Sequence, residues 1–461
     1  MEPKMHLSDQ HRGEGEEGMT EIEYFDQKVE TASQDELAML QFQKLEALLK
    51  KVSTSNSFYQ NKFRSLGITP AEIRSMDDLK KLPLTVKREF EEDQEKHPPF
   101  GTNLTEPLEN YAQYRQTSGT TGKPLKFLDT RESWDWRGKV ACYILKGVGV
   151  KRGDRILFPF NFGPYTAFWI TYEGAYQLGN LIIPTGGWTS LQRLQCIFEN
   201  QATVIPTTPS YALILADTAY ENQIDLASSS IRILMLTGEP GALVPGIREK
   251  LQRLWNAQCF DYIGMTEVGT WGFQCTEEPN GVHIIESEFI AEVIDPDTGI
   301  HVHEGEVGEL VVTNLGRACM PSIRYRTGDL VKVKKGSCPC GRTFRVLEAG
   351  VIGRKDEMVI VRGVNVFPNV LKNIVESYVQ AGDEYQIEAF KERGVDEIAI
   401  KVEIKDEDKR EEIKRSVQDE IKRKLNLRIE VKVVPKGTLP KSDYKAKRFV
   451  DRRKATPNTI T

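Results

Sequence analysis

Apolar residues recur at helical spacing near the start of the chain. Leu37, Leu40, Leu45, Leu48, Leu49 and Val52 share a face within 33–66, which ends before Gly67. At least one packed helix is predicted there. From about 105 to 260, the short apolar runs RILFPF, NLIIP, ATVIPT and IRILMLTG alternate with helix-like stretches. That alternation predicts an α/β fold around a largely parallel sheet, with phosphate and substrate sites in loops at strand ends. Between about 283 and 335, FIAEVIDPDTG, GELVVTNL and GDLVKVKKG read as strands of a small antiparallel sheet, with a turn at Asp295-Pro296-Asp297-Thr298-Gly299. From 357 onward the order is strand, helix, two strands, charged amphipathic helix (411–425) and strand, a unit of the size of a separate small domain. Residues 1–19 lack periodicity and read as a flexible tail.

At 461 residues the chain is too long for one ordinary domain. Hydrophobic residues at 39% and charged residues at 28% are globular values, so disorder is expected only at the ends. A formal charge of −5 gives no general attraction to nucleic acid or anionic membrane. No apolar run approaches the ~20 residues that span a bilayer, and the polar N-terminus lacks a signal peptide's apolar core. Neither nucleic acid nor membrane is an expected partner, and the cytoplasm is the expected compartment. Seven scattered cysteines are no disulfide scaffold, and an odd count suits a reducing compartment. Six histidines, three of them before residue 100, make a histidine-based hydrolase hard to assemble.

One stretch is dense in anion-binding groups. In Thr117-Ser118-Gly119-Thr120-Thr121-Gly122-Lys123-Pro124, two glycines let the backbone approach an anion, hydroxyls add donors and Lys123 adds charge. Such a loop suits a polyphosphate, with a flexible turn or helix entry as the plainer alternative. It is not the Walker pattern, because only two residues separate Gly119 from Gly122 and proline follows Lys123. A second cluster is the CxC turn Cys338-Pro339-Cys340, with Cys275 and His283 upstream. Four such ligands suit structural tetrahedral Zn²⁺; free buried cysteines and a surface histidine are the alternative. Cys142, Cys196, Cys259 and Cys319 have no comparable partners and read as packing.

Five further segments follow the phosphate loop: IRILMLTGEPGA, DYIGMTE (261–267), IRYRTGDL, GRKDEMVIVRGVNVFP and GTLPKSDYKAKRFVD. Together the six resemble, in order, those of the adenylate-forming enzymes (acyl-CoA synthetases, nonribosomal adenylation domains and luciferases), and within them the phenylacetate-CoA ligase-like group. The resemblance runs from about residue 45 to 450. It implies a large N-terminal adenylate-forming domain of parallel sheets plus a small β-subdomain (20–353), a hinge (354–356), a small mobile C-terminal α+β domain (357–450) and a tail (451–461).

The resemblance also implies roles. Residues 117–123 would grip the leaving pyrophosphate of ATP, and Gly238, Glu239 and Pro240 would lie against adenine. Asp261 and Tyr262 belong to the next nucleotide segment, in which Thr266 would touch the α-phosphate and Glu267 would coordinate Mg²⁺. Asp329 would take both ribose hydroxyls, and Arg354 would contact ribose or phosphate. Asp356 would be the pivot, and Gly363 would let the pantetheine arm of coenzyme A pass. Lys445 would serve adenylation, with Lys441 and Lys447 as other candidates. The chain departs from the pattern at Ile263, usually an aromatic that stacks on adenine, and at Tyr444, usually glycine. Phe160, Phe162, Tyr165, Phe168, Trp169 and Trp188 fall where the family keeps its acyl pocket, although core packing accounts for about half of them. Flat aromatic walls favour an aryl or arylacetic acid. The implied activity is AMP-forming activation of that acid, then transfer to coenzyme A. Transfer to an amine or amino acid, and non-catalytic acyl-nucleotide binding, stay open. Relatives are often dimers, so a homodimer is among the assemblies to test. Some relatives also carry both halves of the Cys/His cluster.

Overall fold

The computed structural model of the chain describes residues 22–117, 124–361, 364–379, 384–392, 395–404, 406–435, 437–439 and 448–453. The predicted helix near the start is two: Gln34–Ser55 and Ser57–Ser65. Ser33 and Glu36 form a capping box on the first. Asn56 breaks the run, because its side chain accepts from the Tyr59 N–H and starts the second helix.

An eight-stranded sheet forms the centre of the large unit. Its order is Val346–Glu348, Gly281–Ile284, Gly269–Phe273, Gln258–Met265, Ile233–Leu236, Val204–Thr207, Arg155–Phe158 and Leu181–Pro184. The last five run parallel and the first three are joined antiparallel. Alternate residues of the parallel strands enter two separate cores. Ile156, Phe158, Val204, Ile233 and Met235 pack on one side, with the helix Arg131–Gly147. Leu157, Ile205, Leu234 and Leu236 pack on the other, with Ser190–Glu199, Pro209–Glu221 and Pro245–Trp255. A sheet covered on both faces explains why these strands read as continuous apolar runs.

The three β-rich segments form the expected antiparallel sheet, Phe289–Ile294, Val307–Asn314 and Tyr325–Lys332, which Gly353–Arg354 extends. Beyond it lies a third core around a four-stranded sheet (Glu430–Val433, Val395–Glu403, Glu384–Glu392, Phe449–Asp451), with the helices Pro368–Glu376 and Arg410–Leu425. The predicted strand at 358–363 is a hairpin, Val359–Val361 paired with Val364–Val366. No described helix is long and apolar enough to cross a membrane.

One buried ion cluster ties these layers together. Asp129, at the end of the strand Lys126–Thr130, lies 2.6 Å from Arg317 Nε and 3.1 Å from Arg137 Nε, all three side chains being out of water. Burial pushes the Asp129 carboxyl up, but Arg137 and Arg317 outweigh it and hold it below the usual carboxylate range. Burial pushes Arg137 down to about 10. Asp129→Asn removes the carboxylate paired with two buried guanidiniums and is expected to lower the unfolding free energy by about 3–5 kcal/mol. Denaturant melts measure it, and a loss below roughly 1 kcal/mol, typical of an exposed pair, would show that the cluster is dispensable.

Candidate active site

The site is assembled at the C-terminal ends of the parallel strands. Thr117 closes the neck of the phosphate loop: its N–H donates to Leu125 O (2.9 Å) and its Oγ1 accepts from Leu125 N–H (3.0 Å). Ser118, Gly119, Thr120, Thr121, Gly122 and Lys123 lie outside the described residues. Just before the neck, Gln116 N–H donates to Pro164 O (3.0 Å), which fastens the 160–165 loop beside it.

Gly238 follows the strand Ile233–Leu236 with φ +86°, a left-handed conformation that glycine adopts without strain. Glu239 Oε1 accepts from Ser210 N–H (2.8 Å), so the loop is pinned to the start of the helix Pro209–Glu221. The side chains of two residues in the expected nucleotide segment are engaged within the protein. The Asp261 carboxylate is turned under this loop, where it accepts from the N–H groups of Gly241 (3.3 Å), Ala242 (2.8 Å) and Leu243 (2.8 Å). Burial pushes its carboxyl up to about 6, against those N–H groups and Arg248. Tyr262, the next residue on the strand, points into the core and bonds its hydroxyl to Thr171 (3.0 Å). Strand alternation turns Ile263 the opposite way, toward Leu243, Val282 and Gly350.

Thr266 lines a cavity of about 590 Å³ together with Gly264, Met265, Thr237 and Gly238. Phe160, Phe162, Tyr165, Phe168 and Trp169 form its other wall. Their rings interlock: Phe160 and Phe168 stack at 3.8 Å, and Phe162 meets Trp169 edge-on at 4.7 Å. Trp188 is not in this wall; it lines an adjoining cavity of about 330 Å³, whose lining shares Phe160 and Phe168 with the first. Thr208 and Asn161 line both cavities and were not singled out from the sequence, though Thr208-Pro209 at a strand end is a helix-start signature.

Glu267 is buried at the edge of this region. Its backbone carbonyl accepts from Arg317 Nη1 (3.2 Å) and Ser322 Oγ (2.8 Å), and burial raises its carboxyl above the usual value. Asp329 and Arg354 face each other across paired strands, Nη1 to Oδ1 3.2 Å. Asp356 falls in the short turn Lys355–Glu357. Lys355 Nζ anchors that turn to the large unit at Pro296 O (2.9 Å) and Asp297 (3.0 Å). Gly363, Lys441, Tyr444, Lys445 and Lys447 lie outside the described residues. The helix Pro368–Glu376 packs onto Pro245–Trp255 at Gly246, where an added Cβ would stand 3.0 Å from Ser377 Cα and 3.3 Å from Glu376 O.

The Cys/His cluster is brought together at a distance from the acyl cavity. The ligand atoms of Cys275, His283, Cys338 and Cys340 all lie within 4.8 Å of one another, and all four residues are buried. Cys275 Sγ is 3.6 Å from Cys338 Sγ, and Cys340 Sγ is 3.4 Å from His283 Nε2. These are close to the ~3.7 Å edges of a tetrahedron with Zn–S arms of about 2.3 Å. His283 Nδ1 is held by Phe344 O (3.0 Å), which leaves Nε2 facing the thiols. The N-terminal segment covers the cluster: Tyr24 donates to Cys340 O (2.7 Å), and Glu30 pairs with Arg342.

The fold and the family matches together place the chain in an adenylate-forming class of protein. Residues 38–320 match the AMP-binding enzyme family and residues 363–453 its C-terminal domain; the chain belongs to the AMP-binding enzymes. It is 32% identical over 435 residues to the phenylacetate-coenzyme A ligase of Escherichia coli K12, covering 92% of this chain and 97% of that one. A crystal structure of 2-hydroxyisobutyryl-CoA ligase in the postadenylation state superposes with a TM-score of 0.86 at 26% identity, over 93% of this chain and 92% of that one. The same ligase in the thioesterification state superposes at 0.71 and 27% identity, over 94% and 93%. The packing at Gly246 thus belongs to an arrangement nearer the first state.

Asp261→Ala removes the acceptor for three consecutive N–H groups, which is expected to lower stability by about 1–3 kcal/mol and to weaken nucleotide binding. Thermal melts with and without ATP check both; full ATP protection in the variant would detach Asp261 from the loop's function.

Proposed function

We propose that this chain activates an aryl or arylacetic acid with ATP to an acyl-adenylate and passes the acyl group to coenzyme A. The observation that carries the reading is the aromatic cavity itself, which ends at Gly238 on one side and Thr266 on the other in an AMP-binding enzyme. An aryl ring would pack against the aromatic wall of Phe160, Phe162 and Trp169, with its carboxylate toward Thr266 at the other end of the cavity.

In the proposed mechanism the carboxylate attacks the α-phosphorus of ATP, and pyrophosphate leaves through the loop that begins at Thr117. Glu267 is the residue that would hold Mg²⁺, which when bound supplies charge against that gathering on the phosphate. Lys445 would add a second cation, and Asp329 and Arg354 would orient the ribose. The small domain then turns about Asp356, and the coenzyme A thiol attacks the mixed anhydride, losing its proton, breaking the acyl–phosphate C–O bond and releasing AMP and the acyl thioester. Neither step needs a histidine.

Pyrophosphate release screened over aryl, arylacetic and aliphatic acids tests the reading. Release with arylacetic acids, and a stable product with coenzyme A but not with amino acids, is expected; a stable amide would replace the thioester assignment. Glu267→Gln should slow release by about 10²-fold or more. Because burial holds the Glu267 carboxyl above 4.5, its anionic form is lost as pH falls through that raised value. The acid limb of the rate should therefore lie above pH 4.5 at low Mg²⁺ and move down as Mg²⁺ rises. A limb indifferent to Mg²⁺ would count against Glu267 as the ligand.

We also assign Cys275, His283, Cys338 and Cys340 to one structural Zn²⁺. The four donors fit a tetrahedral ion, and its binding would clamp the N-terminal segment through Tyr24 and Arg342. Metal analysis is expected to find one zinc per chain, lost in Cys340→Ser with a lower Tm. A metal-free protein with an unchanged Tm would refute it.

A further inference from the structure

The 330 Å³ cavity beside the acyl cavity contains a feature that the aromatic wall does not explain. Arg193, on the helix Ser190–Glu199, is only 6% exposed and lines it. Its Nε donates to Thr185 O (3.2 Å), Nη1 to the Tyr211 hydroxyl (2.5 Å) and Nη2 to Asn161 Oδ1 (3.2 Å). All three acceptors are neutral, and among the described residues no carboxylate is paired with Arg193. Other buried guanidiniums are treated differently. Arg137, Arg317, Arg324 and Arg342 each have an aspartate or glutamate partner. Arg115 lies over the rings of Trp134 and Trp169, at 4.5 and 4.8 Å, as Arg193 lies over that of Tyr211 at 5.3 Å, but Arg115 is in addition attracted to Asp129.

A guanidinium taken out of water without a counter-ion is unfavourable unless an anion arrives. Of its five N–H groups, three are used in the bonds above, and two remain for an incoming acceptor. The cavity wall is polar as well: Tyr211 and Ser190 share a hydrogen bond (3.1 Å), and Thr207 and Thr208 add hydroxyls. Phe160, Asn161, Phe168 and Thr208 line both cavities. A ring held against Phe160 and Phe168 can therefore present a substituent at its far end to Arg193.

We propose that this second cavity is an anionic subsite, and that the acid activated by this chain carries a second carboxylate remote from the one that reacts. The inference rests on the arylacetic reading above and narrows it to diacids. Planar, bidentate recognition of a carboxylate is what a guanidinium does best.

The test compares 1,4-phenylenediacetate with 4-methylphenylacetate in phosphate-free buffer, by kcat/KM for pyrophosphate release. The wild-type protein is expected to favour the diacid by roughly tenfold or more, and Arg193→Gln should collapse that ratio toward one. Equal rates in the wild type, or a ratio unmoved by the substitution, would overturn the subsite. Silence with both acids would overturn the arylacetic reading and the subsite with it, whereas turnover of the monoacid alone overturns only the subsite. A thermal-shift arm covers the case in which Arg193→Gln does not fold: the diacid should raise the wild-type Tm more than the monoacid, and less so in Tyr211→Phe. If inorganic phosphate raises the wild-type Tm while the two acids act alike, the cavity takes a free anion and the diacid assignment falls.

Discussion

Asp129 shares its carboxylate between the guanidiniums of Arg137 and Arg317, and that pairing ties together the layers that carry the site. The strand that carries it emerges from the phosphate loop, Arg137 comes from the helix that follows, and Arg317 comes from nearly two hundred residues further on. Arg317 then reaches the backbone of Glu267. Three charges buried together hold one another far more tightly than any could be held in water, and removing one member leaves the others uncompensated. Through Arg317 the buried cluster joins the strand that follows the phosphate loop to the backbone of Glu267.

Much of this architecture was legible in the sequence because it obeys simple periodicities. Continuous apolar runs gave the parallel strands, and alternating runs gave the small sheet around 283–335. The Cys/His cluster was legible because its residue types are scarce. What the sequence could not show was direction. Tyr262 and Ile263 are adjacent, and only the register of the strand decides that the tyrosine enters the core while the isoleucine faces Leu243. Asp261 belongs to the expected nucleotide segment, and only the structure shows its carboxylate meeting three N–H groups of a tight loop that require an acceptor. Trp188 lies close in sequence to the acyl pocket but lines the adjoining cavity, which shares Phe160 and Phe168 with it. Arg193 gave no signal at all, since an arginine on an amphipathic helix ordinarily faces water and only burial without a counter-ion makes it notable.

The acyl region is built by two kinds of restraint. Aromatic rings packed edge to face shape the cavity, while backbone hydrogen bonds such as Gln116 to Pro164 tie its loop to the strand that leads to Thr117. Changes in the rings would alter which acid fits. Changes in the hydrogen bonds would alter whether any acid is aligned.

Gly246 shows a different economy. In the proposed cycle the contact it makes with Ser377 must be broken and remade at every turnover, so its strength has an upper limit as well as a lower one. Reversing a population from 1:99 to 99:1 takes about 5.5 kcal/mol of differential binding, and a dock much tighter than the ligands can overcome would trap the acyl-adenylate on the protein. A bare backbone patch that lets two helices touch closely over a small area meets that limit. The interface is shaped for release as much as for fit.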